Sequence, residues 1–163
     1  MSSPRIGQGI DAHRLVAGRP LVLGGVRVPH DRGLEGHSDG DVLLHAIANA
    51  LLGALGEGDL GRHFPSSDPA LQGIASRRIL QRVMGLVREA GLRVGNLDAT
   101  VVAQEPRLGP YALEMQAAIA ATLEAAPECI NVKVTSTDGL GAIGRGEGIS
   151  AVAVVLLEPG EGA

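Results

Sequence analysis

The strongest constraint on the fold is a run of seven apolar residues near the end of the chain, residues 151–157. Its valines favour a β-strand, and successive side chains of a strand point to opposite faces of the sheet. Both faces of this strand therefore have to be covered. If helices cover one face, a symmetric oligomer with its sheets facing inward is the simplest cover for the other.

Seven further elements are predicted around this strand. Apolar patterning predicts strands over 5–13, 20–28 (kinked at Gly24 and Gly25), 92–103, 130–137 and 149–157, and helices over 39–55, 76–90 and 110–125. Residues 29–36 and 56–68 are predicted to be loops, and Ser38 or Asp39 is predicted to cap the first helix. This order predicts an α+β fold, a mixed sheet with helices packed on one face.

Length and composition are those of a globular protein. The 163 residues suit one domain over residues 1–163, with an ordered core over about residues 5–157. A formal net charge of −4 argues against a nucleic-acid or membrane-surface partner. Phe64 and Tyr111 are the only aromatic residues besides histidine, which argues against a base-stacking surface.

Features linked to cellular location favour the cytoplasm. Cys129 is the single cysteine, so an intrachain disulfide is excluded and a reducing compartment fits. The first residues lack the apolar core of a signal peptide, and no apolar run reaches membrane-spanning length. The sequence therefore predicts a cytoplasmic protein.

Polar residues interrupt the apolar pattern of the first strand and of the first helix. Asp11 and His13 are two residues apart on the strand, and Asp41 and His45 are four apart on the helix, so each pair shares a face. Asp11, His13 and His45 form a three-ligand set that leaves one position for water or substrate, as in catalytic zinc sites. Spacing alone leaves open that each residue is structural, and that Asp41 and His45 form a local ion pair.

Other motifs are weaker by themselves. Residues 139–144 match G-x-G-x-x-G, but a strand follows and the chain soon ends, so a dinucleotide site is excluded and the glycines are expected to shape a hairpin or close packing. Residues 133–138 combine hydroxyls with a carboxylate, which suits a phosphate with its cation or a simple polar strand end. Residues 59–68 and 103–109 suit either ligand-binding loops or ordinary turns.

Together and in this order, the motifs resemble those of the 2-C-methyl-D-erythritol 2,4-cyclodiphosphate synthase family of the non-mevalonate isoprenoid pathway. The resemblance covers about residues 5–157 and is carried by residues 9–13, 37–45, 58–61, 64–65, 103–106 and 144–149. It implies a phosphorus–oxygen lyase acting on 4-diphosphocytidyl-2-C-methyl-D-erythritol 2-phosphate. The 2-phosphate attacks the β-phosphorus of the same molecule, CMP leaves, and a cyclic diphosphate forms.

The resemblance also implies roles for individual residues. Asp11, His13 and His45 would bind one zinc ion per chain, Asp138 would bind Mg²⁺ or Mn²⁺ together with the substrate, and His37 and Ser136 would be catalytic. The implied contacts to the cytidine diphosphate substrate are Asp59, Gly61, Phe64, Asp68, Ala103, Arg107, Leu108, Gly109, Thr135, Ser136, Ile143 and Arg145. Family members are homotrimers with active sites between subunits, and Arg145 and Glu147 match residues near the threefold axis.

Three positions depart from the family pattern. Ser136 replaces a threonine, Asp138 replaces a glutamate, and Ser66 stands where aspartate is frequent. The first two motivate an alternative, a non-catalytic trimer that binds nucleotides or isoprenoid diphosphates. The vacant zinc position motivates another, a zinc hydrolase that acts on a different phosphoester.

Overall fold

The computed structural model describes residues 3–160, which form seven strands and five helices. The strands are β1 (Arg5–Ala17), β2 (Leu21–Leu23), β3 (Val26–Val28), β4 (Arg32–Leu34), β5 (Leu92–Val102), β6 (Ile130–Thr135) and β7 (Gly148–Pro159). The helices are α1 (Val42–Leu55), α2 (Leu60–His63), α3 (Ser76–Glu89), α4 (Ala112–Leu123) and α5 (Gly141–Gly144). Short 3₁₀ turns occupy Pro69–Leu71, Gly109–Tyr111 and Pro127–Cys129.

A five-stranded sheet with the order β4-β1-β7-β5-β6 forms the centre of the fold. Strands β5 and β6 are parallel, whereas the other pairs are antiparallel, so the sheet is mixed as predicted. Strands β2 and β3 form a separate hairpin. The apolar core lies between the sheet and helices α1, α3 and α4.

The two faces of the sheet differ in cover. Along β1, Gly7 and Gly9 are buried and face α1, whereas Ile6 and Ile10 on the opposite face are 72% and 68% exposed. Helix α1 lies so close to β1 that a Cβ on Gly9 would be 1.9 Å from the Ala46 carbonyl oxygen. The predicted α+β architecture with helices on one face is therefore confirmed.

Several predicted boundaries and short elements were wrong. Gly24 and Gly25 both adopt positive φ, so residues 20–28 form a hairpin instead of one kinked strand. The first strand continues to Ala17, because β4, in the predicted loop 29–36, pairs with its end. The predicted loop 56–68 contains α2. The glycine motif at 139–144 contains α5 instead of a hairpin, but the close packing expected there is present, because a Cβ on Gly144 would lie 2.1 Å from the Gly139 carbonyl carbon.

Helix ends also differ from the predictions. The first helix begins at Val42, and its N-cap is Asp41, whose carboxylate accepts a hydrogen bond from the Leu44 N–H. Ser38 and Asp39 therefore do not cap it. None of the helices in residues 3–160 is long and apolar enough to span a membrane. The single domain over 1–163 stays a prediction, and residues 1, 2 and 161–163 lie outside the described part.

Candidate metal centre

Asp11, His13 and His45 meet above the helix-covered face of the sheet. Asp11 Oδ2 lies 2.7 Å from His13 Nε2 and 3.1 Å from His45 Nδ1, and the two nitrogens are 3.2 Å apart. All three side chains are partly buried, with exposed fractions of 26%, 19% and 11%. The convergence expected from sequence spacing is therefore present.

The packing of α1 on β1 produces this convergence. Alternation along β1 directs Asp11 and His13 to the same face as Gly9. Gly9 lies directly under Ala46, the residue that follows His45. Because no side chain separates the strand from the helix at Gly9, the imidazole of His45 reaches Asp11.

The atoms that face one another fit a cation. His13 Nδ1 donates a hydrogen bond to the Glu35 carbonyl oxygen, which leaves the Nε2 lone pair of neutral His13 directed at Asp11 and His45. One carboxylate oxygen and two imidazole nitrogens, all within 4.8 Å of one another, form a donor set that zinc accepts. The chemistry of these residues therefore fits a metal site.

The pKa shifts of Asp11 and His13 indicate that the two residues form an ion pair in the metal-free protein. Burial by itself would raise the pKa of Asp11, but the hydrogen bond and charge of His13, with a smaller effect of the neighbouring His45 imidazole, outweigh it and lower the pKa. Burial by itself would lower the pKa of His13, but the hydrogen bond and charge of Asp11 and the Glu35 carbonyl raise it. A divalent cation would replace the His13 proton as the partner of Asp11.

Asp41 does not belong to this group. Its side chain is fully buried and accepts hydrogen bonds from the N–H groups of Gly24, Gly25 and Leu44. Asp41 and His45 therefore do not form the local ion pair that the sequence left open. The function of Asp41 is to join the β2–β3 hairpin to the start of α1.

A cavity of about 310 Å³ opens beside the three side chains. Its wall includes these three side chains and two further residues predicted from the sequence, His37 and Phe64. The other lining residues are Ser38, Asn49, Leu60, Pro65, Ser66, Leu71, Ile74 and Ile79. The cavity therefore connects the metal-binding group with the segment around α2.

Two predicted substrate contacts, Asp59 and Asp68, have local structural partners. Asp59 caps α2 by accepting the Arg62 N–H, and Asp68 caps a 3₁₀ turn by accepting the Ala70 N–H. Both carboxylates are in exposed residues and retain further acceptor capacity. Gly61 lies in α2 between them and is exposed.

A second group of predicted residues lies at the ends of β5 and β6. The Ala103 N–H donates to the Thr135 carbonyl, and Gln104 Oε1 accepts the Gly139 N–H, so residues 103–109 adjoin residues 135–139. Arg107, Gly109, Thr135, Ser136 and Asp138 are exposed, Ile143 is half-buried, and Ala103 and Leu108 are buried. Arg145 Nε donates to the Glu147 carboxylate at 2.6 Å.

Thr135 of the second group and the metal-binding group lie on opposite faces of the sheet. Thr135 pairs with Val102, Val102 with Ser150, and Ser150 with Ala12. Paired residues share a face, so Thr135 lies on the face of Ala12, opposite to Asp11 and His13. Within one chain the two groups are also separated by three strand spacings, about 14 Å.

Sequence reasoning missed three groups that contact the metal-binding residues. Ser76 Oγ lies 2.8 Å and Ser38 Oγ 3.1 Å from His45 Nε2, and the Glu35 carbonyl contacts His13. The Ser76–His45 contact joins residues 31 positions apart, so no local pattern indicates it. The burial of Ser76 on the apolar face of a predicted amphipathic helix was the available signal.

The fold and this site together define a small α+β enzyme with a candidate metal centre. A model of the YgbB family matches residues 4–158, and the chain belongs to that family. Relatives named 2-C-methyl-D-erythritol 2,4-cyclodiphosphate synthase include those of Geobacillus kaustophilus (56% identical, over 94% of this chain and 98% of the relative) and Bacillus subtilis (52%, over 96% and 99%). The family membership and enzyme class predicted from the motifs are confirmed.

Solved structures agree with this membership. The bifunctional IspDF of Campylobacter jejuni matches 96% of this chain with a TM-score of 0.93 and 41% identity. This chain covers only 42% of that bifunctional protein. A Plasmodium falciparum IspF structure, described as a CDP complex, matches with a TM-score of 0.86 and 32% identity over 99% of both chains.

Proposed function

We propose that the chain converts 4-diphosphocytidyl-2-C-methyl-D-erythritol 2-phosphate into 2-C-methyl-D-erythritol 2,4-cyclodiphosphate and CMP. The observation that carries the proposal is the convergence of Asp11, His13 and His45 at the wall of a cavity, in a chain that belongs to this family. The attacking 2-phosphate is already an anion, so no side chain has to remove a proton from it. The protein has to hold two phosphates close together and neutralise their charge.

The residues proposed to hold zinc are Asp11, His13 and His45. Bound there, zinc supplies Lewis-acid polarisation of a phosphate oxygen. His37 is exposed and contributes to the same cavity, where its imidazole is available to donate to a phosphate. The apolar side chains of Leu60, Phe64 and Leu71 exclude water from one wall of the cavity.

Residues 135–139 are proposed to bind the diphosphate and its Mg²⁺ or Mn²⁺ ion. Asp138 has a φ of 51°, and its carboxylate accepts a hydrogen bond from Ser136 Oγ at 3.1 Å. This turn thus brings hydroxyl and carboxylate oxygens together, the ligands that a hard divalent cation prefers. The adjoining residues 103–109 offer backbone groups for the cytosine, in keeping with the scarcity of aromatic side chains.

A homotrimer is proposed because it would bring the two groups to one substrate from neighbouring chains. The metal-binding group and Thr135 lie on opposite faces of the sheet. In residues 3–160, the face that carries Thr135 has no helices and exposes Ile6, Ile10 and Val154. Threefold packing through this apolar face would set residues 135–139 of one chain beside the metal-binding group of its neighbour. The CDP bound by the Plasmodium falciparum relative supports the nucleotide part of the proposal. We further propose a cytoplasmic location.

Bound zinc per chain and CMP release, measured together, test the proposal. The wild-type chain should bind about one zinc ion and release CMP only when a divalent metal is present, with cyclic diphosphate as the phosphorus NMR product. Asp11→Ala and His45→Ala should lose both properties and remain folded. His30→Gln, outside the cavity lining, is the matched histidine control. Full activity without metal, or an open-chain phosphate product, would refute the proposal.

A further inference from the structure

We propose that Ser76 and Asp39 act as a positioning pair that fixes which nitrogen of His45 carries the proton. The pair holds that proton on Nε2, so that Nδ1, which faces Asp11 and His13, is free to bind a metal. The effect of this proton on metal binding rests on the proposed zinc site. The hydrogen-bond assignment itself concerns the metal-free protein.

The assignment follows from counting protons. Ser76 Oγ contacts the Asp39 carboxylate and lies 2.8 Å from His45 Nε2. A carboxylate only accepts hydrogen bonds, and a hydroxyl has a single hydrogen, so that hydrogen belongs to the contact with Asp39. Ser76 Oγ can then only accept from His45. The proton of neutral His45 therefore lies on Nε2. Its Nδ1 presents a lone pair to the Nε2–H of protonated His13, 3.2 Å away, which also donates to Asp11.

Hydrogen bonds fix Asp39 in the position where its carboxylate accepts the hydrogen of Ser76 Oγ. Its Oδ2 accepts the Ser76 N–H at 3.1 Å, its Oδ1 accepts the Asp41 N–H at 3.2 Å, and its own N–H donates to the Ile74 carbonyl. Ser76 is 1% exposed and is the first residue of α3. Because Ala75 at the N-cap offers no side-chain cap, Asp39 also supplies the negative charge at that helix start.

Ser38 is a natural comparison for Ser76. Its hydroxyl lies 3.1 Å from His45 Nε2 and accepts the Gly40 N–H. Within residues 3–160, however, no carboxylate accepts the Ser38 hydrogen. That hydrogen can go to His45 or to Ser76 Oγ, 3.2 Å away, so the Ser38 hydroxyl can either donate to His45 or accept from it. Ser38 therefore contacts His45 without selecting a tautomer, whereas Ser76 selects one.

The first measurement is the His45 tautomer in metal-free protein, read from long-range ¹H–¹⁵N correlations. Wild-type protein and Ser38→Ala should both show protonated Nε2 and bare Nδ1. Ser76→Ala should show a mixture of the two tautomers. Asp39→Ala should also show a mixture, because the released Ser76 hydroxyl can then donate to Nε2. A wild-type proton on Nδ1, or an unchanged tautomer in folded Ser76→Ala, would overturn the inference.

The second measurement is zinc affinity by chelator competition. Ser76→Ala should weaken affinity by about 10- to 100-fold, the usual effect of losing a group that orients a metal-binding histidine. Ser38→Ala should weaken it distinctly less. Equal losses in the two variants would count against a selective role for Ser76. Wild-type protein that binds no zinc would refute the proposed function, while the tautomer measurement would still decide this inference.

Discussion

Asp41 illustrates how a single buried carboxylate organises the neighbourhood of the site. It is completely buried and accepts three backbone N–H groups, at 2.9 Å from Gly24, 2.8 Å from Gly25 and 3.0 Å from Leu44. Burial raises its pKa to about 6, although these hydrogen bonds oppose the shift. The same side chain thus holds the turn of the β2–β3 hairpin and caps the start of α1, four residues before His45.

Replacing Asp41 should therefore destabilise the whole fold. In Asp41→Ala the three N–H groups lose their acceptor, and we expect a loss of about 2 to 4 kcal/mol in the free energy of unfolding. Urea unfolding of the metal-free protein measures it. Glu57→Gln, at an exposed position, should change stability by less than about 0.5 kcal/mol. A similar small change in Asp41→Ala would contradict this account.

The Asp11–His13 contact should make the stability of the metal-free protein depend on pH. The raised pKa of His13 contributes stability that is fully present below 6.5, the unfolded value, and is lost as pH rises through the folded pKa. The lowered pKa of Asp11 contributes stability present above 3.8 and lost as pH falls through the folded pKa. Both contributions are present between these values.

His13→Gln should consequently destabilise the metal-free protein more at pH 5, where the ion pair is present, than at pH 8, on the alkaline side of that range. Urea unfolding of both proteins at both pH values gives the two differences. Zinc should show the opposite trend, because it competes with the proton for His13 and stabilises the wild type more at pH 8. Equal differences at the two pH values would exclude the ion pair.

At the scale of elements, the contact between β1 and α1 is the one on which the metal-binding group depends. A Cβ on Gly9 would lie 1.9 Å from the Ala46 carbonyl oxygen, and one on Gly7 1.8 Å from that of Ala50. These are backbone atoms of a helix and cannot rotate away. The helix must therefore move if either glycine gains a side chain, and His45 moves with it.

Gly9→Ala should lose about 1 to 3 kcal/mol of stability, as in other overpacked cores, and should bind zinc more weakly. Gly85→Ala in α3 is the matched control, because no atom lies within 4 Å of a Cβ added there. That control should be neutral or stabilise the protein by up to about 1 kcal/mol. The free energy of unfolding and the zinc affinity from chelator competition, measured for both variants, provide the comparison. Unchanged zinc affinity in Gly9→Ala would contradict the proposed dependence.

Sequence patterns predicted the long elements well and the short ones poorly. Helices α1 and α3 and strands β5 and β7 have enough turns or alternations to reveal their periodicity. Strands β2, β3 and β4 have three residues each, and α2 and α5 have four, which is too few for a period to emerge. Asp11 and His13 were predictable from their local spacing, and His45 because it interrupts the apolar pattern of a helix. Ser76 and Asp39, by contrast, meet only through tertiary packing.

At the scale of the whole molecule, the sheet separates Thr135 from the predicted zinc ligands. Asp11 and His13 lie under α1, whereas Thr135 lies on the helix-free face, three strands away. That face carries the apolar residues Ile6, Ile10 and Val154. In the proposed trimer, a substrate that needs both groups meets them on different chains, and this requirement can be tested by mixing variants.

Asp11→Ala removes one group and Asp138→Ala the other, so each variant alone should lose most of its CMP release. When the two variants are refolded together in equal amounts, an active site needs an intact metal-binding group from one chain and an intact Asp138 from its neighbour. Random assembly gives that combination at about a quarter of the interfaces, so about a quarter of wild-type activity should return. Refolding each variant separately and mixing afterwards is the control, because chains that do not exchange cannot complement. Activity that stays at the average of the two variants after joint refolding would place both groups of one site within a single chain.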